Sequence, residues 1–367
     1  MKVKIKKESI IDRLGYLEAI ISEKSPKDIL SHILFEVEDN TLSLSVTNLE
    51  TALKCTIEAE IIQPGNVSLL ANKFSDIVRN LPKESFITIA SDSNNKIKIS
   101  AGTLKTETHG FSKDDFPSLQ TPDFNSSITI AQPLLKELLK KTMFATLKND
   151  DNKPFLNGVY IGIKNEEIQA VGSDGFRLSN VKRKLDKLCP EEIAVIIPNR
   201  TVNELFKVLN SSSGEVIIAV SKKQILFKMD DIIFLSRLIE EKFPKFDQVI
   251  PKECNHSIII ETAKLENGLR LVKPYLDEKN PRVTFTFTDN QLELKTSSDT
   301  GTSDYSMNID FSGETLSIPF KIDYLFEYIR AVEAEKITMN IINTKSQVKF
   351  QADNDSDYNY ITMPMRF

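Results

Sequence analysis

The stretch Val171-Gly172-Ser173-Asp174-Gly175 makes the nearest approach in this sequence to a catalytic nucleophile. A nucleophile elbow exposes its serine on a sharp strand-to-helix turn flanked as G-x-S-x-G, and those flanks are incomplete here, with Val171 in the first glycine position. Metal chemistry has no better footing. His32 and His109 fall in the first third of the chain and His256 in the last, too far apart to read as one metal motif, and no HExxH or CxxC occurs. Cys55, Cys189 and Cys254 are odd in number and far apart, which fits buried thiols in a reducing cytoplasm rather than a disulfide framework. Only 12 glycines are present, none in GxxxxGK or GxGxxG, so no loop is built to cradle phosphate. The 52 acidic residues supply chance carboxylate pairs but no motif. These residues point to a protein that binds rather than reacts, with no catalytic residue, metal or cofactor. A hydrolase with an unrecognised carboxylate pair is the enzymatic alternative.

The elements that would position a binding site recur three times. SLLANKFSDIVRNLP (68–82), VIIPNRTVNELFKVLN (195–210) and LSIPFKIDYLFEYIR (316–330) each read as an apolar strand, a break and a helix. The breaks are expected at Ala71-Asn72, Pro198 and Pro319. Apolar residues then follow at i, i+3, i+4 and i+7: Phe74, Ile77, Val78 and Leu81, then Val202, Leu205, Phe206 and Leu209, then Ile322, Leu325, Phe326 and Ile329. That spacing paints one helix face. A second strand-to-helix element precedes each copy, starting near Val3, Ile128 and Ile258. Between the two lies a pair of alternating strands joined by a tight turn: HILFEVEDNTLSLSVTN, LNGVYIGIKNEEIQAVGSD and RVTFTFTDNQLELKTSSD.

These strand pairs end at Asn48, Asp174 and Asp299, intervals of 126 and 125 residues. Solenoid repeats run about 20 to 50 residues, so a period this long is a whole α+β domain. The expectation is three tandem domains, 1–121, 122–252 and 253–367, with joints at PSLQTPDFN and PKFDQVIPKECN. With 40% hydrophobic and 27% charged residues the composition is that of a soluble chain, and no apolar run approaches a membrane span. Glu8, Asp12 and Arg13 interrupt any signal-peptide core, so the expected location is the cytoplasm.

The C-terminal YITMPMRF and the central GSDGFRL resemble segments of the bacterial DNA sliding clamp, the beta subunit of DNA polymerase III. ANKFSDIVRNLP, DDFPSL, FLNGVYI, FPKFDQVIP and DEKNPRV are similar to family segments in the same order along the whole chain. The resemblance implies three clamp domains per chain and a head-to-tail homodimer that closes a pseudo-sixfold ring, with helices lining the hole and sheets outside. It implies a processivity factor that encircles double-stranded DNA without sequence preference and tethers the replicative polymerase. The clamp loader and repair proteins would bind the same peptide groove. A three-domain interaction scaffold that never closes around DNA is the non-enzymatic alternative. The net charge of −5 is compatible with a ring, because topology rather than phosphate affinity prevents escape.

By the same resemblance, partner peptides enter a groove between domains two and three. Its residues would be Leu156, Ser173, Gly175, Phe176, Arg177, Leu178, Pro244, Val249, Tyr324, Ile361, Met363, Pro364, Met365 and Arg366. Methionines suit varied apolar anchors and arginines would fix a polar rim. Phe176 replaces the family's usual histidine, and Gln248 and Gln347 replace an arginine and a small residue. DNA contacts carry over to Lys24, Lys73, Arg79, Phe155, Arg200, Lys279 and Arg282. On the helices, Arg13, Lys136, Lys140, Lys141, Arg270, Lys273, Lys83, Lys207 and Arg330 add to the basic side expected to face the hole. The dimer seam falls on LKTETHG (104–110), with Pro274 and Tyr275 at the facing helix end.

Overall fold

All six segments with helical spacing are α-helices. The computed structural model describes residues 1–21, 28–38, 40–117, 124 and 126–366. In it α1 spans Lys7–Ile20, α2 Ala71–Asn80, α3 Gln132–Thr142, α4 Asn199–Val208, α5 Thr262–Val272 and α6 Ile322–Ala331. Each helix starts on the residue after a strand: Lys2–Lys6, Gly65–Leu70, Ser126–Ala131, Arg177–Pro198, His256–Glu261 and Leu316–Lys321 in turn. The apolar faces are buried as the spacing requires: Ile10, Leu14, Leu17 and Ile20 on α1, Phe74 and Val78 on α2, and Ile322, Leu325, Phe326 and Ile329 on α6. Truncating one such residue to alanine costs about 2–5 kcal/mol, through lost transfer energy and the cavity left behind.

The helix starts agree with the sequence at Ala71 and Asn199 but not at the third break. Pro319 does not end its strand; it pairs with Thr284 inside Leu316–Lys321, and the helix begins at Ile322. This strand is the last in its sheet, and a missing N–H costs nothing on an edge. The Pro319 carbonyl still serves, accepting from the Met365 amide at 2.8 Å.

The turns of the strand pairs repeat more strictly than the breaks. Asn40, Asn165 and Asn290 take φ of 60°, 55° and 58°, in the left-handed region that asparagine tolerates, and they are spaced 125 residues apart. In the first and third copies Asn40 and Asn290 lie between distinct strands, His32–Glu38 with Thr41–Thr47 and Arg282–Thr288 with Gln291–Ser298. In the second, Gly158–Ser173 runs on through Asn165. Its antiparallel register against Arg177–Pro198 shifts between Ile163 and Glu167.

The chain forms two compact units, and the middle repeat is divided between them. The first comprises Met1–Leu135 and Asn203–Leu238. It holds a five-stranded sheet from Glu60–Gln63 to Leu104–His109, and an eight-stranded sheet in which Ile232–Arg237 pairs antiparallel with Thr51–Ile57. The second unit comprises Lys136–Val202 and Ile239–Phe367. It holds a six-stranded sheet, joined where Arg177–Pro198 pairs with Asp355–Thr362, and a four-stranded sheet ending at Gly301–Asn308. In both units, strands of the middle repeat continue a neighbour's sheet edge to edge, burying backbone groups that an isolated repeat would leave open.

Among the cysteines, Cys55 and Cys189 are buried, and burial pushes the Cys55 thiol up to about 12. Cys254 departs from the expectation. It is exposed just ahead of His256–Glu261, where its Sγ meets Asn340 Oδ1 at 3.5 Å.

Candidate functional site

The turn Ser173–Arg177 organises a groove within the second unit. Asp174 Oδ1 accepts from the amides of Phe176 and Arg177 at 2.9 and 3.0 Å, an Asx turn that needs a left-handed residue at Gly175 (φ 89°). Ser173 completes the turn: its Oγ donates to the Arg177 carbonyl at 2.7 Å and accepts from the Gly175 amide at 3.1 Å. The serine that resembled a nucleophile is thus a buried turn residue. The first unit repeats the device at Asn48, which accepts from the Glu50 and Thr51 amides, with Leu49 at φ 75° in the position of Gly175.

The groove floor is the buried cluster Val171, Leu178 and Ile361, from two adjacent strands of the six-stranded sheet and the Gly158–Ser173 strand beside them. Tyr160, Phe243 and Phe246 pack against it; the Tyr160 ring lies 5.2 Å from Phe243 and 5.9 Å from Phe246. Above the floor is a cavity of about 220 Å³. It is lined by Leu156, Ser173, Gly175, Phe176, Arg177, Leu178, Pro244, Val249, Ile361 and Met363 from the sequence expectation, together with Phe243, Lys245 and Phe246. Phe176, Val249 and Met363 stand 65%, 42% and 41% exposed at its mouth, an unusual density of uncovered apolar surface. The Met363 amide donates to the Phe176 carbonyl at 2.9 Å, which brings the C-terminal strand to the turn.

Four expected residues do not line the cavity. Tyr324 lies behind Arg177, and burial together with the nearby Asp174 carboxylate raises its pKa. Pro364, Met365 and Arg366 run past the groove, because Met365 is drawn to the Pro319 carbonyl. Arg177 lines the cavity but is no rim residue. Its Nε bonds Asp174 Oδ2 at 3.1 Å, Nη1 pairs with Glu327, Nη2 donates to the Phe144 carbonyl at 2.6 Å, and the side chain is buried. Phe243 and Phe246 were missed although the sequence carried a signal: two aromatics three apart around Pro244, the second of them inside the segment assigned to a domain joint.

Three family models match the chain end to end. The N-terminal, central and C-terminal domain models of the DNA polymerase III beta subunit match residues 1–120, 129–245 and 247–366 respectively. The chain belongs to the DNA polymerase III beta subunit family. Curated relatives named beta sliding clamp include that of Buchnera aphidicola subsp. Rhopalosiphum padi, 28% identical, and that of Escherichia coli (strain K12), 24% identical; both are covered over 100% of each chain. A putative DNA polymerase III beta subunit from Eubacterium rectale is similar in structure, with a TM-score of 0.93 at 26% identity over 100% of both chains. A sliding clamp from Bartonella birtlesii, solved bound to griselimycin, has a TM-score of 0.95 at 24% identity over 100% of both chains.

The residues proposed for DNA in this clamp-family chain fall on several elements rather than in one cluster. Lys24 lies outside the described residues. On α2, Lys73 is exposed, while Arg79 pairs with Glu18 of α1. In the second unit, Phe155 is half-buried in the turn Pro154–Leu156, Arg200 is exposed near the start of α4, and Lys279 and Arg282 flank the loop before Arg282–Thr288. Lys141 departs from the expectation of a solvated helix face. It is buried, bonded to Glu137 and Asp355 at 2.6 Å each, and Arg183 reaches the same two carboxylates at 2.6 and 2.5 Å. Lys140 pairs with Glu333, Arg270 with Glu266 at 2.5 Å, and Arg13 with Asp231 at 2.7 Å. The basic helix residues are therefore largely answered by neighbouring carboxylates.

Proposed function

We propose that this chain is a sliding clamp whose two copies close head to tail around duplex DNA and tether the replicative polymerase through the groove of the second unit. The observation that carries the reading is an open apolar groove beside the C-terminal strand, in a chain that the family models match from end to end. Ring closure is supported by two strands at sheet ends, Leu104–His109 in the first unit and Gly301–Asn308 in the second. An edge strand offers its backbone donors and acceptors for antiparallel pairing with another copy. Tyr275, 42% exposed, packs its ring against Gly301 beside the second edge and offers apolar area to the seam.

The ring acts through topology and proximity and carries out no bond chemistry. A tethered polymerase meets the primer end at a high effective concentration, so a weak groove contact is enough. DNA contacts by Lys73, Arg79, Phe155, Arg200, Lys279 and Arg282, and by Lys24, would guide sliding without base readout. The clamp loader and repair proteins would share the groove, in the cytoplasm where replication runs.

Retention on nicked circular DNA, after loading by a clamp loader with ATP, tests the ring. Circular molecules are expected to hold the protein in moderately high salt and to release it on linearisation. Electrostatic binding would instead fall steeply with salt on both forms. Equal loss from circular and linear DNA would sink the ring in favour of a non-encircling scaffold.

A further inference from the structure

The outward face of the five-stranded sheet in the first unit collects lysines. Residues paired directly across its strands share a face, which places Lys2, Lys98 and Glu107 in one row, Lys4 and Lys105 in the next, and Lys6 with Phe86 in a third. Glu60 lies opposite Lys4, and Lys96 lies one row beyond Lys98. The alternate residues Val3, Ile5, Ile87 and Ile99 are buried on the other side. Six lysines thus stand with two glutamates on these strands, in a chain whose net charge is −5. Lys4 pairs with Glu60 at 3.2 Å, and Lys96 and Lys98 share Glu107 at 2.7 and 3.4 Å. Lys2, Lys6 and Lys105 are exposed and form no ion pair among the described residues. At about 3.4 Å per residue, Lys2, Lys4 and Lys6 recur about every 7 Å along one strand. Phe86, 48% exposed, ends the array, with Lys4 Nζ 4.7 Å and Lys6 Nζ 6.0 Å from its ring centroid.

We propose that this face binds single-stranded nucleic acid, with phosphates along the lysine rows and a base stacked on Phe86. Like charges gathered on one face repel, and an anion brought from outside offsets that repulsion. A base stacks on an aromatic ring whatever its identity, and a lysine-lined surface tracks a backbone without reading sequence. An acidic protein segment would answer the lysines but leave Phe86 bare. A membrane surface calls for several apolar side chains that enter the acyl boundary, and the face offers one. None of these residues belongs to the six helices or to the groove of the second unit, so the site is distinct from both.

The test is fluorescence anisotropy of the full chain with labelled oligomers of dT and of U, each about 20 nucleotides long, in salt of about 0.05 M. Binding of either oligomer at this face supports the proposal, and the tighter of the two identifies the strand as DNA or RNA. The triple variant Lys2→Gln, Lys6→Gln and Lys105→Gln is expected to weaken binding about tenfold. It is also expected to make the slope of log affinity on log salt shallower by about 2, since each phosphate contact on a single strand contributes about 0.7. Phe86→Ala is expected to weaken binding about tenfold through lost stacking, and both variants to keep their melting temperature. Bromodeoxyuridine in the dT oligomer, cross-linked to the unaltered chain by ultraviolet light, is expected to mark the strand Phe86–Ser91, a readout that stands even if a variant fails to fold. Unchanged affinity and slope in both variants, an equal loss in Lys73→Glu, or cross-links confined to the helices or the groove would overturn the proposal. So would binding of a polyglutamate peptide or of phosphatidylglycerol vesicles to this face while neither oligomer binds.

Discussion

The Arg177 guanidinium lies 4.1 Å from the centroid of the Tyr324 ring, sandwiched between the groove turn and α6. With Asp174, Glu327 and the Phe144 carbonyl as its other partners, it is a strut behind the groove rather than a hand at its mouth. Arg177→Met leaves Asp174 buried without a counter-charge and is expected to cost about 2–4 kcal/mol of stability, below the range for fully buried pairs because Glu327 is partly exposed. Arg177→Lys is expected to recover little, since a point charge cannot reproduce the three-way fork. Urea unfolding of the three proteins measures both. A change within about 0.5 kcal/mol, the size of an ordinary surface substitution, would show the strut to be dispensable.

Acid is expected to loosen the second unit through Glu137 and Asp355. Burial pushes both carboxyls up, but hydrogen bonds from Arg183 and Lys141 outweigh it and hold them below their ordinary values. A carboxylate lowered in the folded state contributes stability that is complete above its unfolded pKa, near about 4, and is lost as pH falls through the folded value. Asp355→Asn is therefore expected to be less stable than the unaltered chain at pH 7, with the difference closing as the pH falls below the ordinary carboxylate range. Unfolding curves across that range check it. A pH-independent gap would mean that Asp355 acts by packing alone.

The C-terminal tail divides into a groove part and a strand part. Met363 lines the cavity, whereas Met365 is bonded to Pro319. Deleting residues 363–367 is expected to weaken partner peptides about thirtyfold, the loss of an anchor contact worth about 2 kcal/mol. Deleting only 364–367 is expected to leave affinity within about threefold, a change of under 1 kcal/mol. Peptide titration of the two truncations, with sedimentation to follow self-association, separates the roles. Equal losses would put Pro364–Arg366 back into the site.

On α2, Lys73 is expected to matter more for DNA than Arg79. Glu18 already answers the Arg79 charge, and Lys73 stands exposed. Lys73→Glu is expected to shorten retention on nicked circular DNA more than Arg79→Glu, with stability in both held within about 0.5 kcal/mol. A larger effect at Arg79 would show that the Glu18 pair opens when DNA enters.

Where sequence and structure agree, the information is local. The i, i+3, i+4, i+7 rows of α2, α4 and α6 depend on helical geometry alone, and Asn40 and Asn290 mark turns whose φ asparagine itself tolerates. Where they part, the deciding partner is remote. Lys141 reads as a solvated lysine until Asp355, 214 residues away, is placed against it. Pro319 reads as a break until its strand proves to be an edge. Phe243 and Phe246 look like linker residues because the Tyr160 ring they cover comes from another part of the chain. The groove turn was legible as a motif, but the depth of Arg177 was not, since its burial depends on Glu327 and Phe144 together.

The edge-to-edge joining of strands within each unit sets a schedule for synthesis. Thr51 pairs with Ser236, so the eight-stranded sheet lacks its continuation until 185 more residues have been made. At about 5–20 residues per second, the Thr51–Ile57 edge waits roughly 10 to 35 s for its partner. Leu178 waits about as long for Ile361, 183 residues downstream. A nascent chain of this design spends much of its birth with an unpaired strand edge beside the ribosome, and there trigger-type chaperones or slow, pause-prone codons would have their greatest effect on yield.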